Sequence, residues 1–400
     1  MIDVSRQKQL LAQLSDLTDV LCPMNARPFA VSFDLRLGVS KCFGVDANVF
    51  PSGWHRLPFP PSGSWGQNQR RIKDFFGWKS EEPIALIPEP HLHNDDYLKN
   101  LAWLQNFYTC AGFKTFTVPV TDSGSLKERR VVDHIRGPCH GNPLEYFPYE
   151  LRDGKLWVEG VPVSFAISQY DGSKSSLMLR DPKTGRDVDL QLYPPTQFGW
   201  QVRRKHHFFE AYHRFVSDVE HHLQVDFREY RFQFFVFALP GGGSSVLDHW
   251  EEVEQWVDEV TAGSPHPWML KSDHGTYGLG VEGVEPGAGI RQWSMRKIRQ
   301  FRHGRYNVPI DGLVLQEGLP TALFIQDKVA ERVDYYLLGT LYGSFFRMHD
   351  RKHAFENLNR PGAQFAQAEI SEEAKVRLDM ASALAFGGVC YEYREKMQRP

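Results

Sequence analysis

The stretch from Pro83 to Val120 restricts the fold more than any other. Ile84-Ala85-Leu86-Ile87 is a short apolar run, Leu101, Leu104, Phe107 and Tyr108 follow at helical spacing, Gly112 stands where a helix stops, and Phe116-Thr117-Val118 is a second apolar run. Strand, helix and strand in that order read as a βαβ unit, which demands a parallel sheet. Ala30 to Asp34 is a further strand, and Pro58 to Gly66 is a turn region rich in proline, glycine and serine.

A chain of 400 residues is too long for one core when domains average roughly 150 residues. The expected division is an N-terminal α/β domain over 1–165, a connecting region over 166–245 and a C-terminal region over 246–400. Apolar residues at 42% and charged residues at 24% fit a globular protein. With 46 basic against 49 acidic residues the net charge is −3, so no global field attracts nucleic acid or an anionic membrane. Five scattered cysteines, none in a CxxC pair, argue against a disulfide framework and a thiolate metal site. The polar start and the lack of an apolar run of about 18 residues place the expected location in the cytoplasm.

Downstream, Val161 to Ile167 reads as one strand, His206 to Leu223 as an amphipathic helix and Phe232 to Leu239 as a buried strand. Pro240-Gly241-Gly242-Gly243-Ser244-Ser245 then leads into a helix with Trp250, Val253, Val257 and Val260 on one face. That glycine run lacks a Walker lysine and GxGxxG spacing, and reads as a linker with an N-cap rather than a phosphate loop.

The stretch richest in chemistry is Pro267 to Val281. An apolar strand ends at Lys271, and Gly275, Thr276, Tyr277, Gly278 and Gly280 follow in a loop. Closely spaced glycines let backbone amides approach an anion, and a lysine supplies a point charge for phosphate. Taken alone, the same pattern also describes a hairpin turn with an exposed lysine. The strand Gly312 to Leu315 then ends in Gln316-Glu317-Gly318. Ala330 to Gly339 and Leu341 to Arg347 read as paired strands, and Phe355-Glu356-Asn357-Leu358-Asn359 as a polar loop.

Lysine, glycine loop, strand, arginine strand and acid/amide loop in this order resemble the ATP-grasp superfamily. More closely, the chain resembles the proteobacterial-type glutamate-cysteine ligases. The matching segments are Phe33 to Arg36 with Lys41; Val45 to Gly53, including Asn48; Leu86 to Glu89 with His91 and Asn94; Pro194-Pro195, Gly199-Trp200 and Arg203-Arg204-Lys205; Gly275 to Gly280; Gln316 to Gly318; and Glu356 to Asn359 with Pro361-Gly362. One departure is Ser168-Gln169-Tyr170-Asp171-Gly172, where the resemblance leads one to expect an Asn- and Asp-rich turn.

The resemblance implies an ATP-grasp architecture, α/β and α+β, with an N-terminal α/β substrate domain. It further implies ATP and Mg2+ as cofactors, and glutamate and cysteine as small-molecule substrates joined through a γ-glutamyl phosphate. Lys271 and Arg347, with Arg332, are then the expected phosphoryl contacts. Gly275 to Gly280 become the lid, and Gln316, Glu317 and Gly318 the adenine edge. Arg36, Lys41, Asn48, Arg203, Arg204 and Lys205 become amino-acid contacts, and Glu356, Asn359, Glu392 and Glu331 the metal ligands. An ATP-grasp ligase for another amino-acid pair is the alternative.

Two further classes have weaker support. Arg291, Arg296, Lys297, Arg299, Arg302 and Arg305 with Trp293 and Phe301 suggest a nucleic-acid face, but read better as a solvated helix on the lid. The pairs His91/His93, His206-His207 and His221-His222 suggest a metal hydrolase, but no HExxH is present.

Overall fold

The computed structural model describes residues 3–78, 82–89, 93–120, 126–138, 141–170, 188–239, 245–275, 278–304, 308–350 and 355–398. The strands Ile84–Ile87 and Thr115–Thr117 run parallel with helix Asp95–Cys110 between them, as the βαβ pattern requires. Asn94 caps that helix: its side chain accepts from the amides of Asp96 at 3.0 Å and Tyr97 at 3.4 Å, two donors a helix start leaves unpaired. The sheet runs in the order Gln191–Tyr193, Phe165–Ser168, Ile84–Ile87, Thr115–Thr117, Pro143–Tyr146, Arg130–Arg136. Its pairings are parallel except at the Arg130–Arg136 edge. The single strand expected from Val161 to Ile167 is two. Val161–Val163 closes a separate meander with Glu150–Arg152 and Lys155–Val158, and Phe165–Ser168 enters the parallel sheet.

A second sheet joins distant parts of the chain. Its order is Gln364–Ala366, Thr340–His349, Lys328–Leu337, Ala30–Leu37, Cys42–Asn48, all antiparallel. Ala30 lies level with Leu337 and Leu35 with Arg332, so the N-terminal strands belong to the sheet of the late arginine strand. The expected division between residues 1–165 and 246–400 therefore does not follow the sheets. The C-terminal helix Glu372–Gln398 covers this sheet, with Phe386 stacked on Tyr336 at 4.5 Å. It packs on helix Lys205–Leu223, and a Cβ at Gly388 would fall 2.8 Å from the Tyr212 Cα, so glycine is what permits the approach.

The third sheet has the order Phe234–Ala238, Gly312–Glu317, Trp268–Ser272, Val281–Val284. Helix Trp250–Thr261 covers one face with Val253 and Val257 buried. Phe234–Ala238, expected to be buried, is an edge strand on which Phe235 and Val236 are exposed. Trp293 and Phe301 pack on Trp250, at 6.4 and 5.7 Å between ring centroids. The aromatic half of the suspected nucleic-acid stripe is thus core; Arg305 and the glycine run 240–244 lie outside the described residues.

Candidate active site

A cavity of about 270 Å³ opens between the third sheet and the antiparallel second sheet. Strand alternation decides what it sees. Ser32, Asp34 and Arg36 line it from one strand and Glu331, Val333 and Tyr335 from the next, while the intervening residues turn toward the C-terminal helix. Glu331 and Arg347 are cross-strand partners. Arg347 Nη1 donates to Glu331 Oε1 at 2.6 Å and to Asp34 Oδ2 at 2.9 Å, and Arg36 Nε donates to Glu331 Oε2 at 3.0 Å. Burial pushes the Glu331 carboxyl up, but Arg36 and Arg347 outweigh it and hold the group below its ordinary value. Asp34 goes the other way: burial, reinforced by Glu331 and Asp46 and opposed by Arg347, raises it.

The third sheet contributes Met269, Lys271 and Gln316. Lys271 Nζ donates to the Val45 carbonyl at 2.7 Å. Burial pushes Lys271 down to about 8, with Lys205 and Arg36 adding to the shift and Asp46 opposing it. Gln316 is 1% exposed, and both atoms of its side-chain amide lack a hydrogen-bond partner among the described residues. A buried amide without partners costs free energy unless a ligand pairs with it.

Gly275 and Gly278 line the cavity with positive φ of 107° and 67°. A Cβ at Gly278 would fall 2.7 Å from Asn357 Nδ2 and 2.8 Å from the Asn359 carbonyl, so the glycine loop meets the acid/amide loop where only glycine fits. Gly280 begins the return to the sheet, its carbonyl accepting from the Ser272 amide at 2.7 Å. Thr276 and Tyr277 lie outside the described residues.

Lys205 donates to the Gly275 carbonyl at 2.9 Å and stands 3.9 Å from Asp46. Asn48 and Asn359 also line the cavity, as does Glu317, whose carboxylate accepts from Lys41 at 2.6 and 2.8 Å. Lys41 thus reaches the site only through Glu317. Gly318 donates to the Pro267 carbonyl at 2.8 Å and is a close strand contact outside the lining.

Four expected residues are engaged elsewhere. Arg332 points to the opposite face of its strand, bound to Asp334 at 2.7 Å and Asp379 at 2.8 Å. Arg204 forks onto Asp311 at 2.5 and 2.9 Å. Glu392, expected as a metal ligand, sits on the C-terminal helix and takes the fork of Arg203 at 2.9 and 2.7 Å, both side chains being buried. Glu356 offers its carbonyl to Arg36 and lines a neighbouring cleft. Sequence reasoning did not single out Asp34, Asp46, Arg56, Asp96 or Asn357, all of which line the cavity. Strand alternation from Arg36 would have found Asp34, two residues earlier on the same face.

The lining holds six cationic and six acidic side chains, so it is no simple anion sink and suits ligands bearing both signs of charge. Nucleotide fits, because Gln316 leaves an unpaired amide beside Met269 while Lys271 and Arg347 supply charge for phosphates. Mg2+ fits too. Asp34 and Glu331 share one guanidinium nitrogen and repel each other, a strain a dication relieves, and magnesium needs only one or two carboxylates beside phosphate oxygens and water. Among the described residues no group of three or more His, Cys, Asp or Glu side chains is placed to hold a metal, and His91 lies outside the described residues.

Two sheets closing on a mixed-charge cavity beside a parallel α/β sheet make a mixed α/β architecture, consistent with the expected ATP-grasp-like fold. The family model for glutamate-cysteine ligase (GshA) matches residues 22–385, and the chain belongs to that family. A 1.90 Å crystal structure from Methylobacillus flagellatus KT, provisionally named gamma-glutamylcysteine synthetase, aligns with a TM-score of 0.75 at 21% identity. The alignment covers 99% of this chain and 96% of that one, and shows a shared fold. D-alanyl-alanine synthetase A from Vibrio cholerae O1 biovar eltor str. N16961 aligns at a TM-score of 0.37 and 9% identity over 77% of this chain and 81% of that one, too weakly to carry an argument. No curated protein matches the sequence.

Proposed function

We propose that the cavity joins the γ-carboxylate of glutamate to the amine of cysteine at the expense of ATP, through a γ-glutamyl phosphate. The observation that carries the reading is the facing of two sheets. Lys271 and the unpaired Gln316 amide look from one sheet toward Arg36, Glu331 and Arg347 on the other. Phosphoryl transfer needs little covalent chemistry from the protein and much positioning of charge. Gln316 takes the base, Lys271 and Arg347 hold phosphate oxygens, and the glycine loop closes over them. Asp34, Glu331 and Asn359 are the ligands for a nucleotide-borne Mg2+, which neutralises phosphate charge. Lys205, Arg203 and Asn48 stand on the amino-acid side. A cytoplasmic location goes with this reading; among the described residues no helix is long and apolar enough to cross a membrane.

A ligase for another amino-acid pair is the second reading, favoured by Gln169, which lines the cavity from the segment that departs from the resemblance. A panel of amino-acid pairs assayed for ADP release decides between them. Glutamate with cysteine is expected to give the highest kcat/KM; a different best pair keeps the ligase chemistry and overturns the specificity.

A further inference from the structure

At the wall built by the turn 52–56 and the start of helix Asp95–Cys110, the cavity presents a cation and an acid side by side. Arg56 and Asp96 both line it. The Arg56 guanidinium lies 3.8 Å over the Phe365 ring, with Nη2 at 2.7 Å from Asp96 Oδ2 and Nη1 at 3.0 Å from His55 Nε2. His55 Nε2 in turn stands 3.0 Å from Asp96 Oδ1. A guanidinium stacked on a ring and tethered at one edge is held flat, with N–H donors left over for a second carboxylate. The His55 hydrogen bond, against burial and aided by Arg56, holds Asp96 well below the usual carboxylate range, so it is charged throughout the working pH range.

The wall is rigidly attached to the reacting end. Gly53, with a left-handed φ of 99°, lets the turn press on the second sheet, where a Cβ would fall 3.0 Å from the Tyr335 hydroxyl and 3.4 Å from Arg56 Nη1. Tyr335 donates to the Ser52 carbonyl at 2.5 Å. Phe365, the ring beneath Arg56, is the cross-strand partner of Arg347.

The chemistry of amide formation separates the two amino acids. The acceptor must present a neutral amine to attack, so a permanently ionised carboxylate that holds its ammonium works against the reaction. The donor keeps its α-ammonium and α-carboxylate charged throughout, while only its distal carboxylate reacts. A paired cation and anion therefore match the donor's α-centre, the zwitterion lying antiparallel to the Arg–Asp pair.

We propose that Arg56 and Asp96 bind the α-carboxylate and α-ammonium of the amino acid that donates the γ-carboxylate, and thereby select glutamate; this rests on the ligase reading above. The test uses the full chain with ATP, Mg2+ and saturating cysteine, and compares kcat/KM for glutamate, 4-aminobutyrate (no α-carboxylate) and glutarate (no α-ammonium). Arg56→Gln is expected to lower the preference for glutamate over 4-aminobutyrate by roughly tenfold or more, and Asp96→Asn to do the same for glutamate over glutarate, with the KM for ATP unchanged. Each preference is a ratio within one preparation, so loss of folded protein cancels. Should Arg56→Gln be too weak to assay, Arg56→Lys, which keeps the charge and loses the fork, gives an intermediate ratio. Ratios equal to wild type overturn the inference. A collapse of the preference for cysteine over cysteamine assigns the pair to the acceptor and overturns it equally. A wild-type enzyme that makes no amide from glutamate and any amine refutes the ligase reading itself.

Discussion

Lys271 offers a prediction whose size follows from its surroundings. It is 6% exposed in the strand Trp268–Ser272, and burial lowers its pKa from 10.5 to about 8. A bound polyphosphate favours the ammonium form, so ATP affinity is complete below pH 8 and is lost as the pH rises through that value. Between pH 7.5 and 9.5 the charged fraction of the free enzyme falls about 25-fold, and the Kd for ATP rises by the same factor if the bound lysine stays protonated. The window lies above the last ionisation of phosphate, about 6, so the nucleotide does not confound it. Calorimetry in two buffers of different ionisation enthalpy reads both the Kd and the proton taken up. Lys271→Arg, with a charge that does not titrate here, removes the dependence. Folding gives an independent reading of the same shift. With its folded-state pKa depressed, Lys271 opposes folding below pH 8 by about 3 kcal/mol and stops doing so above about 10.5. Lys271→Met therefore raises the melting temperature at pH 7 while it weakens ATP binding. Identical pH profiles for wild type and Lys271→Arg would refute the reasoning.

Two other substitutions separate structural from chemical roles. Glu392→Gln leaves Arg203 buried without its carboxylate and is expected to cost about 3–5 kcal/mol of stability by chemical denaturation, with the Mg2+ requirement of the remaining activity unchanged. Unaltered stability with a shifted Mg2+ dependence would restore Glu392 as a metal ligand. Gly278→Ala puts a Cβ against Asn357 and into a left-handed backbone, so steady-state kinetics should show the KM for ATP rising roughly tenfold with little change in melting temperature. A normal KM would show that the loop contact is dispensable.

Local pattern carried much of the architecture. The βαβ unit, helix Lys205–Leu223 and the hairpin of Lys328–Leu337 with Thr340–His349 are all near-neighbour features, readable from period and turn. The pairing of Ala30–Leu37 with Lys328–Leu337 joins residues roughly 300 apart, and no periodicity announces it. Lys271, Gln316, Glu331 and Arg347, which line the cavity, stand out in the sequence because strand, loop and charge occur in the order that carries the resemblance. Arg332 misled because both faces of its strand are polar: Glu331 meets the cavity, and Arg332 and Asp334 pair beneath the C-terminal helix. Glu392 misled for a different reason. Its helix is buried nearly all round and carries Gly387 and Gly388 at its middle, which hides the helical face that places Glu392 on Arg203. Arg204 and Lys41 look like free cations in sequence and find acids that are distant in the chain, Asp311 and Glu317.

The proposed reaction makes one demand that no kinase or simple ATPase shares. Glutamate labelled with heavy oxygen in its γ-carboxylate is incubated with the enzyme, ATP, Mg2+ and cysteine, and the released phosphate is analysed by mass. An acyl phosphate requires one labelled oxygen to leave with the phosphate for every amide formed. Label in the phosphate, in step with amide and dependent on cysteine, is the predicted result; amide formed alongside unlabelled phosphate would contradict the account.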